Sequence, residues 1–511
     1  MYHKHRRAFT DILVAEQPDW FMKLDNILKG YVILAAASCI GFCLIIIHSL
    51  ILTIGMDDTI APEIASANLE MEAVSVTVEL DTTTFEETIR NPDNFIIEPH
   101  EDSLWETTED QQEFEQEIPA ELVPEKEEVY NPLERFITKL DKAKENNEQV
   151  RIGYFGDSMI EGDLITQSLR KDLQEMFGGK GVGFVPISSK IPGFRKTIRH
   201  RIGEWKSYNY FTPGPKGMPL GISGELFLAD NPQMSWVSYK ATSAFPGTEI
   251  FELVKLYYGG GSAVPEGFDS YVIVDTDQRI DTFSLDGKTE ISELVISSEP
   301  TKRVELKFHI PSNLPIFGLS VESESGIVVD NFPSRSNSGT NLVKIPADVL
   351  NKFDNYLDYD LIVLQFGLNV VSPKRKSFSS YEKGMKRVVE HFKTHMPNTD
   401  ILLVSVCDKS TKINGVLQTD PSVPLIVDAQ QRVAEEMGIG FLNLYEEMGG
   451  RNSMIKWVKA RPSLARSDYA HPNHRGAVKV SNIVKDFLLR NYDTHMAQKK
   501  GPVKETFSMR K

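Results

Sequence analysis

From Asn131 onward the apolar residues follow two alternating rhythms. Leu133, Phe136, Ile137 and Leu140 fall at helical spacing and predict an amphipathic helix over 132–146. Val150–Phe155 (VRIGYF) is an apolar run of strand length, and Gly156-Asp157-Ser158 ends it. From Asp163, the residues Ile165, Leu169, Leu173 and Met176 recur every three or four positions, which is one helix face, and GGKGVG at 178–183 stops it. The alternation resumes late in the chain. Asp360–Phe366 and Ile401–Val406 read as buried strands, and Gly440–Leu444 as a short one. Tyr381, Met385, Val388, Val389 and Phe392 mark a helix between the first two; Leu425–Met437 and Arg475–Leu489 predict two more. Strands alternating with helices imply a parallel sheet covered on both faces, with its binding sites at the carboxyl ends of the strands. Ser158 and Gly367 both fall at such ends.

Between the halves, residues 195–340 have another texture. Short β-rich runs at Met234–Ala241, Ser270–Val274, Arg303–Phe308 and Gly326–Val329 are separated by Gly, Pro, Asn and Asp, with no helical period. This predicts an inserted β-sandwich, jelly-roll-like, over 196–338, dividing an α/β domain into 131–195 and 339–492, with a tail at 493–511. Domains of that type often bind carbohydrate.

The first 130 residues follow neither rhythm. Tyr31 to Met56 is a run of 26 residues without formal charge, long enough at 1.5 Å per residue to cross a hydrocarbon core of about 30 Å. Lys4, Arg6, Arg7, Lys23 and Lys29 precede it, while Asp57, Asp58 and Glu63 follow. The positive-inside rule then puts residues 1–30 in the cytoplasm and the bulk of the chain outside, on a transmembrane signal anchor. Residues 57–130 hold 23 acidic and two basic residues. Such a segment cannot assemble a core and should extend as an acidic stalk, either solvated or offering a surface to envelope protein partners.

Charge changes the picture once it is divided. The net −16 of the 511 residues conceals about −21 in the stalk and leaves +4 for residues 131–511. A near-neutral body speaks against nucleic acid as a partner. The three cysteines, Cys39, Cys43 and Cys407, form neither a disulfide framework nor a zinc spacing.

Three short segments bear on chemistry. Ser158, at a strand end before a helix, is placed to act as a nucleophile with its own N–H toward substrate, although Asp157-Ser158 could equally cap the helix. Asp468 lies three residues before His471, a spacing that lets a carboxylate hold Nδ1 and leave Nε2 free to serve as base, although an ordinary surface histidine would look the same. His474 raises a metal pair, but no third ligand cluster joins it. Asn369, in Gly367-Leu368-Asn369, could donate to an oxyanion, or simply be a loop residue after a strand.

Taken in order, Gly156-Asp157-Ser158 with a following glycine, Gly367-x-Asn369 and Asp468-x-x-His471 resemble the conserved blocks of the SGNH/GDSL hydrolase superfamily. The resemblance covers about 131–195 and 340–490. It implies a flavodoxin-like three-layer α/β domain, a Ser158–His471–Asp468 triad, and an oxyanion hole of Ser158, Gly339 and Asn369, with no metal or organic cofactor. Val370 and Leu368 depart from the acidic residue and threonine common beside that Asn. The layout is similar to bacterial envelope esterases that remove O-acetyl groups from peptidoglycan, and to acetyltransferases of wall and exported polysaccharides. It implies an enzyme of the bacterial inner membrane, facing the periplasm and acting on an O-acylated carbohydrate. The alternatives are an O-acetyltransferase with the same triad, or a silent glycan-binding scaffold.

Overall fold

The computed structural model describes residues 131–500, apart from Met234, 261–263 and 288–289. The expected anchor at 31–56 and stalk at 57–130 lie outside the described residues. Within them no helix is long and apolar enough to cross a membrane.

The chain begins with α1 (Glu134–Asn146) and β1 (Gln149–Gly156), then a 3-10 segment (Ser158–Asp163), α2 (Thr166–Phe177) and β2 (Gly181–Val185). Ten strands follow: β3 (Ile198–Ile202), β4 (Trp205–Asn209), β5 (Glu225–Ala229), β6 (Trp236–Ala241), β7 (Leu253–Gly259), β8 (Tyr271–Thr276), β9 (Ile280–Ser284), β10 (Ile291–Ser297), β11 (Arg303–His309) and β12 (Ile316–Glu322). Then come β13 (Gly326–Pro333), α3 (Ala347–Leu357), β14 (Tyr359–Gln365), α4 (Ser379–His395), β15 (Asp400–Val404) and the hairpin β16 (Ser410–Ile413) and β17 (Val416–Thr419). The last elements are α5 (Ser422–Met437), β18 (Gly440–Leu442), α6 (Leu444–Glu447), α7 (Ser453–Lys459) and α8 (His474–Lys500).

Five strands form one parallel sheet in the order β13-β1-β14-β15-β18. Counted along the chain this is 2-1-3-4-5, the flavodoxin-like order, which the local patterns could not reveal. Its switch point lies between β1 and β14, where a crevice opens at the carboxyl ends. β14 is buried throughout and β1 nearly so, as continuous apolar runs covered on both faces must be. The helices cover the sheet with the expected stripes. α1 buries Phe136, Ile137 and Leu140, and α4 buries Tyr381, Met385, Val388, Val389 and Phe392. In α2 the stripe closes on Phe177 rather than Met176, which is 44% exposed. One residue is 100° of helix, enough to turn Met176 to solvent.

The intervening strands make two antiparallel sheets, β10-β7-β12-β5-β4 with β2 also on β12, and β3-β6-β11-β8-β9. Val237, Val272 and Leu306 from one and Val254, Leu256 and Leu319 from the other share an apolar core, as in a β-sandwich. The boundaries differ from the sequence expectation at three points. Gly326–Pro333, read as part of the insert, is a parallel strand beside β1. Gly181–Val185, read as a helix stop in the α/β part, pairs with β12 of the insert. A short run of Val and Ile carries no mark of parallel or antiparallel pairing, so only the register across strands decides. The supposed tail from 493 continues as α8 to Lys500.

The insert is fused to the α/β layers. Phe353 of α3 meets the rings of Phe184, Tyr257 and Phe317 at 6.4, 5.5 and 5.7 Å. Beside it Arg151 of β1, fully buried, binds Asp330 through Nε at 2.9 Å, Glu322 through Nη1 at 2.8 Å and Ser320 through Nη2 at 2.6 Å. Burial pushes the Glu322 carboxyl up, but Arg151 and Lys255 overcome it and hold it at about 2.

Candidate active site

Ser158 lies two residues past the end of β1 and opens the 3-10 segment, not an α-helix; α2 starts only at Thr166. Its N–H, at the first position of that segment, has no intrahelical acceptor. Gly156 leaves room for its neighbours: a Cβ there would sit 3.0 Å from the Ile160 side chain and 3.1 Å from the Gln365 carbonyl oxygen. Asp157 anchors the turn. Its Oδ1 accepts the Met159 N–H at 3.0 Å, and its Oδ2 faces Asn369 Nδ2 at 3.3 Å. Burial pushes this carboxyl up to about 6, against the pull of the Met159 N–H, His471 and the Leu368 N–H.

Ser158, His471 and Asp468 come together. Ser158 Oγ lies 3.0 Å from His471 Nε2, and His471 Nδ1 lies 2.9 Å from Asp468 Oδ2. Asp468 Oδ1 also accepts the N–H groups of Ala470 and His471, both at 3.0 Å. Partial burial raises the Asp468 carboxyl, but those two N–H groups and the imidazole leave it below its ordinary value. The supporting loop is a closed turn. Ala465 bridges Pro472, Arg466 N–H donates to the His471 carbonyl, and Tyr469 holds a left-handed φ of 56°. Ser410 N–H and the buried Cys407 thiol donate from beneath to the carbonyls of Tyr469 and Ala470. His474 opens α8 with its ring 6.3 Å from that of Phe194.

Asn369 stands in a 3-10 turn after β14, across the switch point from Ser158. Gly367 makes the turn possible: its φ is 127°, and a Cβ would press on Ile426, Val406 and Gln430 at 3.1–3.2 Å. Asn369 Nδ2 donates to the Asn337 carbonyl at 2.9 Å and, less closely, to Asp157. Leu368 is buried and Val370 packs on the core.

Gly339 lies elsewhere than an oxyanion donor should. Its N–H donates to Asn337 Oδ1 at 2.9 Å, and a Cβ would meet Phe366 and Met385 at 2.9–3.0 Å. Its glycine character answers to packing and a φ of 95°. Two residues of this loop, Arg335 and Ser336, reach the Ser158 pocket, and Ser336, three positions before Gly339, is in a left-handed conformation with φ 63°. Its N–H has no acceptor among the described residues. The family resemblance pointed to the glycine of this segment; a serine with positive φ sends no signal in the sequence. Asn337, fully buried between them, was also missed, although an Asn two residues before a glycine is an Asx-turn pattern.

The site opens into a pocket of about 610 Å³ lined by Ser158, Ser336, Asn369, Lys409, Arg466 and His471, among others. A hydrogen-bonded Ser–His–Asp line at the switch point of a doubly wound sheet is the layout of a serine hydrolase. Comparison of the fold agrees with that layout: the chain shares its fold with a solved esterase. A solved structure of a peptidoglycan O-acetylesterase matches over 70% of this chain and 96% of that one, with TM-score 0.57 and 20% identity. A family two carbohydrate esterase from Cellvibrio japonicus (12% identity, 57% and 99% covered, TM-score 0.24) and an acetyl xylan esterase (18%, 32% and 81%, 0.24) are also similar. No protein-family model and no curated protein sequence matches the chain.

Proposed function

We propose that this chain is a serine esterase that removes O-acyl groups, acetyl foremost, from an envelope carbohydrate such as peptidoglycan or an exported polysaccharide. The observation that carries the reading is the line from Ser158 Oγ through His471 to Asp468, at 3.0 and 2.9 Å. Ser158 attacks the ester carbonyl as His471 Nε2 takes its proton. The N–H groups of Ser158 and Ser336 meet the oxyanion, joined by the Asn369 amide hydrogen that Asp157 holds only at 3.3 Å. His471 returns the proton to the departing sugar oxygen. It then deprotonates a water that attacks the acyl-enzyme, freeing the acid and Ser158. Asp468, held below its ordinary pKa, stays ionised and orients the imidazole.

The carbohydrate part of the proposal is supported by the fold shared with the peptidoglycan O-acetylesterase. The proposal also puts the body on the outer side of a bacterial inner membrane, tethered through residues 31–56, as the flanking charges suggest. The purified protein should hydrolyse p-nitrophenyl acetate and release acetate from O-acetylated wall or capsular polysaccharide, and Ser158→Ala should abolish both. Equal rates for the two proteins would overturn the esterase.

A further inference from the structure

A second cleft, of about 560 Å³, opens beside the catalytic pocket. It lies where the insert meets the α/β layers and shares Glu161, Ile191, Arg335 and Ser336 with the pocket of Ser158, so the two are continuous. The insert contributes Tyr210, Phe211, Ser223 and Glu225 to its wall, and β13 contributes Asn331.

Three buried polar atoms of this wall, Tyr210 Oη, Ser223 Oγ and Asn331 Oδ1, have no hydrogen-bond partner among the described residues. Tyr210 is 5%, Ser223 8% and Asn331 6% exposed. The partly buried Glu225 carboxyl makes no hydrogen bond or ion pair there either; burial pushes it up to about 8, with Lys190 pulling weakly the other way. Native interiors leave few such groups unpaired, so three in one cleft wall, with the Glu225 carboxyl beside them, indicate a ligand that pairs with them. The groups are of mixed kind. A phenol, a serine hydroxyl and a protonated carboxyl each donate and accept, and an amide oxygen accepts. Sugar hydroxyls also do both. At the rim Phe211 is 52% exposed, a free aromatic face of the sort that stacks on the C–H face of a pyranose. Two cations of the wall are already matched, Arg335 by Glu161 and Arg195 by Asp163, while Lys190 makes no ion pair among the described residues. The wall is also preformed. Gly224 carries a φ of 73°, and Tyr210 lies so close that a Cβ would fall 2.0 Å from its ring.

We propose that this cleft is a second sugar subsite, which holds a pyranose flanking the acylated residue by hydrogen bonds to Tyr210, Ser223, Glu225 and Asn331 and by stacking on Phe211. The insert then acts as one half of the substrate groove. This rests on the carbohydrate reading above and specifies where the glycan runs.

The test uses the full chain carrying Ser158→Ala and, as probe, soluble peptidoglycan fragments stripped of O-acetyl groups by alkali. Calorimetric titration should detect binding. Tyr210→Phe, which deletes one oxygen, and Phe211→Ala, at an exposed position, should each weaken it about fivefold or more. With Ser158 intact, both variants should hydrolyse p-nitrophenyl acetate within about twofold of the parent, because so small an ester needs only the catalytic pocket. No binding of the probe, unchanged affinity in both variants, or a parallel loss on p-nitrophenyl acetate would each overturn the subsite. Binding that responds to the variants in a protein without esterase activity would instead overturn the esterase reading and leave the subsite standing.

Discussion

At the residue scale the site depends on which hydrogens are free. Asp468 fixes the tautomer of His471, so Asp468→Asn should lower kcat on p-nitrophenyl acetate by up to about 10⁴-fold with an unchanged circular dichroism spectrum. A loss under tenfold would mean that the imidazole is oriented by other contacts. The oxyanion donors can be separated in the same way. Asn369→Ala should cost about 10²–10³ in kcat. Ser336 works through its backbone, so Ser336→Gly should keep the rate within a few-fold while relieving a left-handed conformation that costs roughly 1–2 kcal/mol in a non-glycine residue. If Ser336→Gly were as inactive as Asn369→Ala, the serine hydroxyl would be the working group.

At the scale of elements, α3 is the joint between the catalytic layers and the insert. Its Phe353 is fully buried against Phe184, Tyr257 and Phe317. Phe353→Ala should destabilise the protein by about 3–5 kcal/mol in urea unfolding. Its folded fraction should still hydrolyse p-nitrophenyl acetate normally, because α3 contributes nothing to the Ser158 pocket. The periods along the chain named α1, α2, α4 and α5 and the strands they accompany, since one buried stripe per helix is a local property. They did not name α3, although Val349, Leu350, Phe353 and Leu357 keep the right spacing. They also misassigned β13, whose partner β1 lies more than 150 residues away.

At the scale of the molecule, buried carboxyls set the response to pH. Glu322 is held at about 2 against an ordinary 4.5, so it adds stability above 4.5 that is lost as pH falls toward 2, about 3 kcal/mol in all. Asp163, held down by Arg170 and Arg195 in spite of its burial, acts in the same direction. Asp157, Asp354 and Asp360 are pushed by burial up to about 6, so the stability they contribute below 3.8 declines as pH rises through that value. Thermal unfolding should therefore be most resistant between about 3.8 and 4.5 and weaken toward 6. A Tm that rose steadily to pH 8 would contradict this balance. Glu322→Gln should flatten the acid limb and, because Arg151 loses a charge partner in a fully buried site, lower the Tm at pH 5.5 as well.

What the sequence determined by itself is local or compositional. The apolar periods name most of the sheet and its helices, and three short motifs name Ser158, Asn369, Asp468 and His471, because a nucleophile, a donor and an Asp-x-x-His turn each declare themselves within a few residues. The expectations for 31–56 and 57–130 belong to the same kind. Tertiary structure decided what depends on distance along the chain. It brought Ser158 within 3.0 Å of a histidine 313 positions away, and set β13 beside β1. It turned the Gly339 N–H onto Asn337 while leaving that of Ser336 open to the pocket, and it laid Tyr210, Phe211, Ser223 and Glu225 alongside the site. Chain order carries no record of which N–H has already found an acceptor; that is settled only when the layers pack.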